Sequence, residues 1–198
     1  MTDFLLLGAG GHAKSVVEIR RAAGDRLSAY IDPHVCPWLP EVRHIARDSD
    51  ASPSDGPLAI GLGGVTIDLL AARRRLVEEY AARGFLLLSV VHPGALVSPS
   101  ASIAEGAHVL AGAIVQPGAV IGRAALINAG SLVEHDAQIG EGAHIAPGAR
   151  VLGGARVGPG AMIGAGTVVL PYADAPAQTL VPANTVFRPS KPKGSEAQ

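Results

Sequence analysis

The chain has 198 residues, 48% of them apolar, and sixteen basic against seventeen acidic side chains give it a formal net charge of −1. That balance leaves no basic stripe for nucleic acid or an anionic lipid surface, since Arg73, Arg74 and Arg75 form the largest basic cluster, and no apolar run approaches the roughly eighteen residues a membrane span needs. One cysteine, Cys36, excludes an internal disulfide, and the absence of a basic-then-apolar leader pattern predicts a cytoplasmic protein.

In chain order, "FLLLGAG" reads as a buried strand and "HAKSVVEIRRAAG" as a helix ending at Gly24. "LSAYID" and "PLAIGLG" read as two further strands, with "CPWLPEVRHIARDSDASPSDGP" between them as a polar surface loop with little regular structure. "TIDLLAARRRLVEEYAARG" is an amphipathic helix with Thr66 as N-cap and Gly84 as terminator, and "FLLLSVVHP" is a fourth strand. Strands alternating with helices predict a parallel α/β sheet.

The first strand-to-helix turn carries Gly8, Gly10 and Ala13 in G-x-G-x-x-A spacing, and Asp32 lies about twenty residues further on. A dinucleotide site normally draws on two mononucleotide halves, and this unit of about ninety residues is only one, so a nicotinamide cofactor has no second berth. Glycine amides at a helix N-terminus still suit a phosphate or pyrophosphate, and Asp32 can accept from a base or ribose, which favours a nucleotide-activated sugar. The same glycines could serve only a tight turn.

From Val97 to Val169 every sixth residue is Val or Ile, and four residues after each stands Ala, Ser or Thr. A helix of 3.6 residues per turn would smear that period around its circumference, and Gly and Pro recur too often for helix. A solenoid of parallel strands with inward branched residues and glycine-containing corners satisfies it, and aromatics at 4% suit a narrow interior.

The run "HVLAGA IVQPGA VIGRAA LINAGS" resembles the hexapeptide acyltransferases. That resemblance implies a left-handed parallel β-helix with eighteen residues per coil, assembled as a homotrimer. The longer series "GAGGHAKSVVE", "IDP", "AIG", "VHPGALVSPSA" and "INAGSLVEHDAQIGEGAHIAPGA" is similar to bacterial sugar acyltransferases of the PglD and NeuD type over nearly the whole chain. It implies a Rossmann-like nucleotide-sugar-binding domain over 1–92 and a β-helix acyltransferase domain over 93–188, and the polar composition of the remaining tail over 189–198 predicts disorder. The implied activity is acetyl transfer from acetyl-CoA to the amino group of a nucleotide-activated amino deoxysugar. Sugar O-acetylation and a non-catalytic sugar-nucleotide scaffold are the alternatives. By motif, His135 is the expected general base, Asp136 its carboxylate partner, His144 and Gly153 the neighbours of the thioester, and Asn128 a substrate contact. Gly10, Gly11, His12, Asp32 and Gly61 are the expected nucleotide-sugar pocket. The chain departs from the family pattern at Pro33, where a second acid is common, and at Leu180, where a glycine is.

With eighteen residues per coil, His108 and His144 share a column two coils apart, near 10 Å, too far for one zinc ion with bonds of about 2 Å. No metal is expected. His135 lies half a coil from His144, so uniting the two requires a cleft between neighbouring chains. Gly153 stacks one coil above His135 and leaves its backbone N–H approachable by a developing oxyanion. His108 is expected on the surface, without a role.

Overall fold

The computed structural model describes residues 1–188; the polar tail over 189–198 lies outside the described residues. The chain begins with β1 (Asp3–Leu7), whose last four residues are buried. It turns through Gly8 at φ +81 and enters α1 (Gly11–Ala22), capped only by Gly10. Gly24 at φ +86 ends that segment in the left-handed region that glycine tolerates best. β2 (Arg26–Ile31), β3 (Arg43–Ile45) and β4 (Leu58–Ile60) complete a parallel sheet of order β3-β2-β1-β4. α2 (Ile67–Ala82) starts at Thr66, whose hydroxyl accepts from the Leu69 N–H at 3.2 Å.

Two expectations are corrected here. The polar stretch expected as a loop contains β3, which pairs Ala29, Tyr30 and Ile31 with Arg43, His44 and Ile45 at the sheet edge, followed by two short 3-10 turns. Ile45 is its one buried residue, too little apolar pattern for a strand to be legible. The expected fourth strand is divided: Leu87 forms a single bridge to Leu58, and Val90–Val91 already belongs to the next architecture.

That architecture is a left-handed parallel β-helix, with three sheets of two-residue strands. Val120 pairs with Gln138 and Gln138 with Arg156, so the register advances by eighteen residues per coil. The branched column from Val109 to Val169 points inward and is almost wholly excluded from solvent, with Ala113, Ala119, Ala137 and their equivalents at the corners. Each buried Val or Ile contributes roughly 1.5–3 kcal/mol of transfer free energy relative to exposure. The corners repeat a left-handed residue every six positions, usually glycine, but Ala124, Asp136, Tyr172, Gln178 and Asn184 occupy five of them at φ 51, 58, 59, 56 and 55.

α1 is the joint between the two parts. Its Val16 and Val17 pack with Phe4 and Leu6 of the sheet and with Val90, Leu110 and Leu126 of the β-helix in one apolar cluster. On the opposite face of the sheet, Leu5, Leu7 and Ile60 pack with Val77 and Tyr80 of α2 and with Ala124.

Candidate active site

The corner after Leu132–Val133 carries Glu134, His135 and Asp136. His135 Nδ1 lies 2.9 Å from Asp136 Oδ2; since a carboxylate only accepts, Nδ1 carries the proton and Nε2 presents its lone pair. Both side chains are exposed, at 59% and 74%. Asp136 adopts φ 58, a conformation that Asp tolerates better than most residues, and that bend brings the carboxylate back onto the ring that precedes it.

The neighbouring coils make room for the pair. A Cβ at Gly118, one coil below, would lie 2.5 Å from Asp136 Oδ1, and a Cβ at Gly153, one coil above, would lie 2.7 Å from His135 Nε2. The Gly153 N–H donates to no protein group among the described residues. The equivalent first turn residue is free in other coils too, so it is the missing Cβ that distinguishes Gly153. One further corner up, the exposed Tyr172 lays its ring over Gly154. Sequence reading missed Tyr172, whose signal is an aromatic residue in the glycine column.

A second polar cluster lies between α1, the loop after β4 and the β-helix. His144 is buried; its Nδ1–H donates to the Gly64 carbonyl at 2.7 Å and its Nε2 accepts from Asn128 Nδ2 at 3.0 Å. The ring expected beside the thioester therefore has both nitrogens engaged within this chain. Asn128 Oδ1 accepts in turn from the Ala129 N–H at 2.8 Å. The residue borders a cleft of about 350 Å³ that is also lined by Ser15, Glu18, His92 and Leu110.

The expectation that His108 sits on the surface is overturned: it is fully buried, and its Nδ1 lies 3.0 Å from His12 Nε2 with the rings stacked at 5.2 Å. The expected columns placed His108 two coils from His144, as the ladder through Leu126 confirms, but not the helix that covers them. Burial lowers the His12 pKa to about 4, helped by Arg73 and His144. Burial likewise holds His108 well below the ordinary histidine value, and lowers His144 against the opposing effect of its bond to Gly64.

Arg73 stands in the same cluster, 2% exposed, with Nε donating to the Leu62 carbonyl at 2.9 Å and Nη1 donating to the Ala124 carbonyl. Its burial lowers the guanidinium pKa to about 10. In the sequence it belongs to the basic cluster Arg73, Arg74 and Arg75. It occupies the apolar stripe Leu70, Arg73, Val77 and Tyr80 of α2, a spacing that marks it as inward-facing.

At the glycine turn, Gly10 and Gly11 are exposed at the start of α1. Asp32 follows β2 and is half-committed to its own chain, Oδ2 accepting from the Ala9 N–H and Oδ1 from the His34 N–H, each at 2.9 Å. A shallow cleft of about 190 Å³ runs over Gly10, Asp32, His34 and Trp38 at the carboxyl end of the sheet. Gly61 is buried behind it: a Cβ there would overlap the Gly8 carbonyl oxygen, so its geometry serves the packing of β4's end on the turn. Among the described residues no group of three or more His, Cys, Asp or Glu is placed to hold a metal ion.

Fold and corner together define a hexapeptide-repeat acyltransferase. The bacterial transferase hexapeptide family (six repeats) matches residues 118–153 and 136–171. The acetyltransferase domain of PglB from Neisseria gonorrhoeae is 30% identical with a TM-score of 0.87, over 98% of this chain and 95% of that one. The same domain in complex with acetyl coenzyme A is 29% identical, covers 94% and 93%, and has a TM-score of 0.84. PerB from Caulobacter crescentus, in complex with CoA and GDP-perosamine, is 30% identical over 91% and 93%, with a TM-score of 0.74. No curated protein sequence is matched directly. The chain belongs to the sugar acyltransferases of the PglD and NeuD type.

Proposed function

We propose that the protein transfers the acetyl group of acetyl-CoA to the amino group of a nucleotide-activated amino deoxysugar, with His135 as general base. The observation that carries the reading is the corner itself: an imidazole oriented by Asp136 at 2.9 Å and seated against Gly153, whose missing Cβ makes room for the ring, with Nε2 free of any protein partner among the described residues. The similarity to an acetyl-CoA complex and to a CoA and GDP-perosamine complex supports the choice of donor and acceptor class. Nε2 takes a proton as the sugar nitrogen adds to the thioester carbonyl, and the Gly153 N–H stabilises the oxyanion. The carbon–sulfur bond then breaks and the proton passes to the departing sulfur, so that no acyl-enzyme forms. In this reading Asn128, held by His144, contacts the acceptor, while Gly10, Gly11, His12 and Asp32 face its nucleotide.

The working form is a homotrimer. One sheet presents the outward ladder Leu96, Ile114, Leu132, Arg150, Val168 and Val186, with Leu96 67% and Val186 51% exposed. Its apolar members, Leu96 and Val186 exposed and Ile114, Leu132 and Val168 half-buried, with Arg150 between them, favour burial against another copy. His135 stands at the corner that ends this sheet's central strand, so a second copy seated there would wall the base into an intersubunit cleft, where the acetyl donor fits. Among the described residues no helix is long and apolar enough to cross a membrane.

The test is release of free thiol from acetyl-CoA against a panel of UDP- and GDP-linked amino sugars, GDP-perosamine among them, and of the corresponding sugars that carry a hydroxyl in place of the amine. Acceptor-dependent release supports the reading. Release only with hydroxyl sugars would reassign it to O-acetylation, and no release above hydrolysis with any acceptor would overturn it.

A further inference from the structure

The His12–His108 pair has no part in the chemistry at His135. His12 Nε2 and His108 Nδ1 are 3.0 Å apart, so one of these nitrogens must carry the shared proton. His108 Nε2 is buried without a partner, as is Nη2 of Arg73, the cation that acts on both rings. His12 Nδ1 has no protein partner among the described residues yet is not sealed from solvent, and it sits in the first turn of α1 beside the exposed Gly10 and Gly11.

Two neutral arrangements are open. If His12 donates through Nε2, the proton of His108 is confined to Nε2, where it becomes a buried N–H with nothing to accept it. The cluster already holds one such stranded donor in Arg73, and orphaned buried N–H groups are rare because each costs about 1–3 kcal/mol. If His108 donates through Nδ1, its Nε2 carries only a lone pair in a neighbourhood oversupplied with donors, and His12 Nδ1 carries a proton toward the open side.

We infer that His108 is a positioning residue, which locks His12 in the tautomer whose Nδ1–H joins the amides at the start of α1 as a donor to the diphosphate of the nucleotide-sugar acceptor. The ligand part of this inference rests on the acceptor reading above; the tautomer does not. Burial keeps both rings neutral near pH 7, His12 being lowered to about 4, so the pair adds a directed donor rather than a charge. A neutral donor to a phosphate oxygen discriminates by position, and its direction depends on a residue 96 positions away.

The experiment is a nitrogen-15 imidazole spectrum of the ligand-free protein at pH 7, together with titration of the wild type, His108→Leu and His108→Asn with UDP and with GDP. Leu fits beside Leu126 in the ladder and removes the donor; the Asn amide N–H stands in for Nδ1–H. The expected spectrum shows His12 protonated at Nδ1 in the wild type and in His108→Asn, and shifted toward the Nε2–H form in His108→Leu. The tighter-binding nucleotide should lose about tenfold in affinity in His108→Leu and recover most of it in His108→Asn, with the Kd for acetyl-CoA unmoved. An Nε2–H form of His12 in the wild type, or an unchanged nucleotide Kd in His108→Leu, overturns the inference. If neither UDP nor GDP binds a wild type with the expected tautomer, the nucleotide reading of the acceptor fails while the tautomer assignment stands.

Discussion

Asp136 sits in a left-handed conformation at a corner where most equivalents are glycine, and that conformation turns its carboxylate back onto its neighbour, His135. Replacing His135 with Ala should reduce kcat by about 10²–10⁴-fold, the usual contribution of a positioned base, and leave acetyl-CoA affinity by calorimetry unchanged. Gly153 lies outside the left-handed region, so Gly153→Ala is tolerated by the backbone, yet its new methyl would stand 2.7 Å from His135 Nε2. That displacement should lower kcat by roughly 10²-fold with little change in thermal midpoint; an unaltered kcat would show that Nε2 is not where the reaction occurs. This corner was legible because its members are adjacent in sequence or one coil apart in a fixed register. His108 was not, since nothing in its own repeat indicates that a helix from the other domain would bring His12 over it.

Among the elements, those with many matching positions were legible and those with few were not. α1 and α2 run over apolar stripes, and the repeat runs over thirteen hexapeptides from Val97 to Val169, whereas β3 has three residues at an edge and only Ile45 buried. The loop between β4 and α2 shows how a short element is held by tertiary contacts: Leu62 by Arg73, Gly64 by His144, and Gly61 by the Gly8 turn. Gly61→Ala forces a methyl into the Gly8 carbonyl and should destabilise the protein by roughly 1–3 kcal/mol in urea unfolding, the range for overpacking a core. Loss of acceptor binding with full stability would instead mark Gly61 as a direct ligand contact.

Across the whole molecule, the two units are joined by a polar seam of His12, His108, His144 and Arg73 rather than by apolar packing only. Each of the three histidines has a folded pKa below the free value of 6.5. As pH falls below about 6.5 the unfolded chain takes up protons that the folded chain refuses, so the stabilisation is complete above that pH and is lost on acidification, for His12 toward about 4. The carboxylates lowered by arginine or backbone partners, Asp3 and Asp55, act only near and below 3.8. The thermal midpoint should therefore fall between pH 6.5 and 4.5, and fall less in His108→Leu; a flat profile would mean the histidines are not buried as described. Sedimentation should show a trimer, and a charge placed on the ladder, Leu132→Glu, should yield monomers that fail to turn over acetyl-CoA.

The sequence by itself determined the β-helix, the α/β unit, the family and the His135–Asp136 pair, because a six-residue rhythm and contiguous motifs constrain structure locally and repeat that constraint many times. Only the tertiary structure decided where the N-terminal unit docks, that Arg73 reaches the Ala124 carbonyl of the β-helix, that His108 is interior, and that His144 holds Asn128 and the loop at Gly64. Those facts depend on contacts between residues 51 to 96 positions apart, or on a loop and a coil brought together by the shared apolar cluster around α1. Burial of a polar side chain is a property of what covers it, and the covering element carries no mark in the covered residue's own repeat.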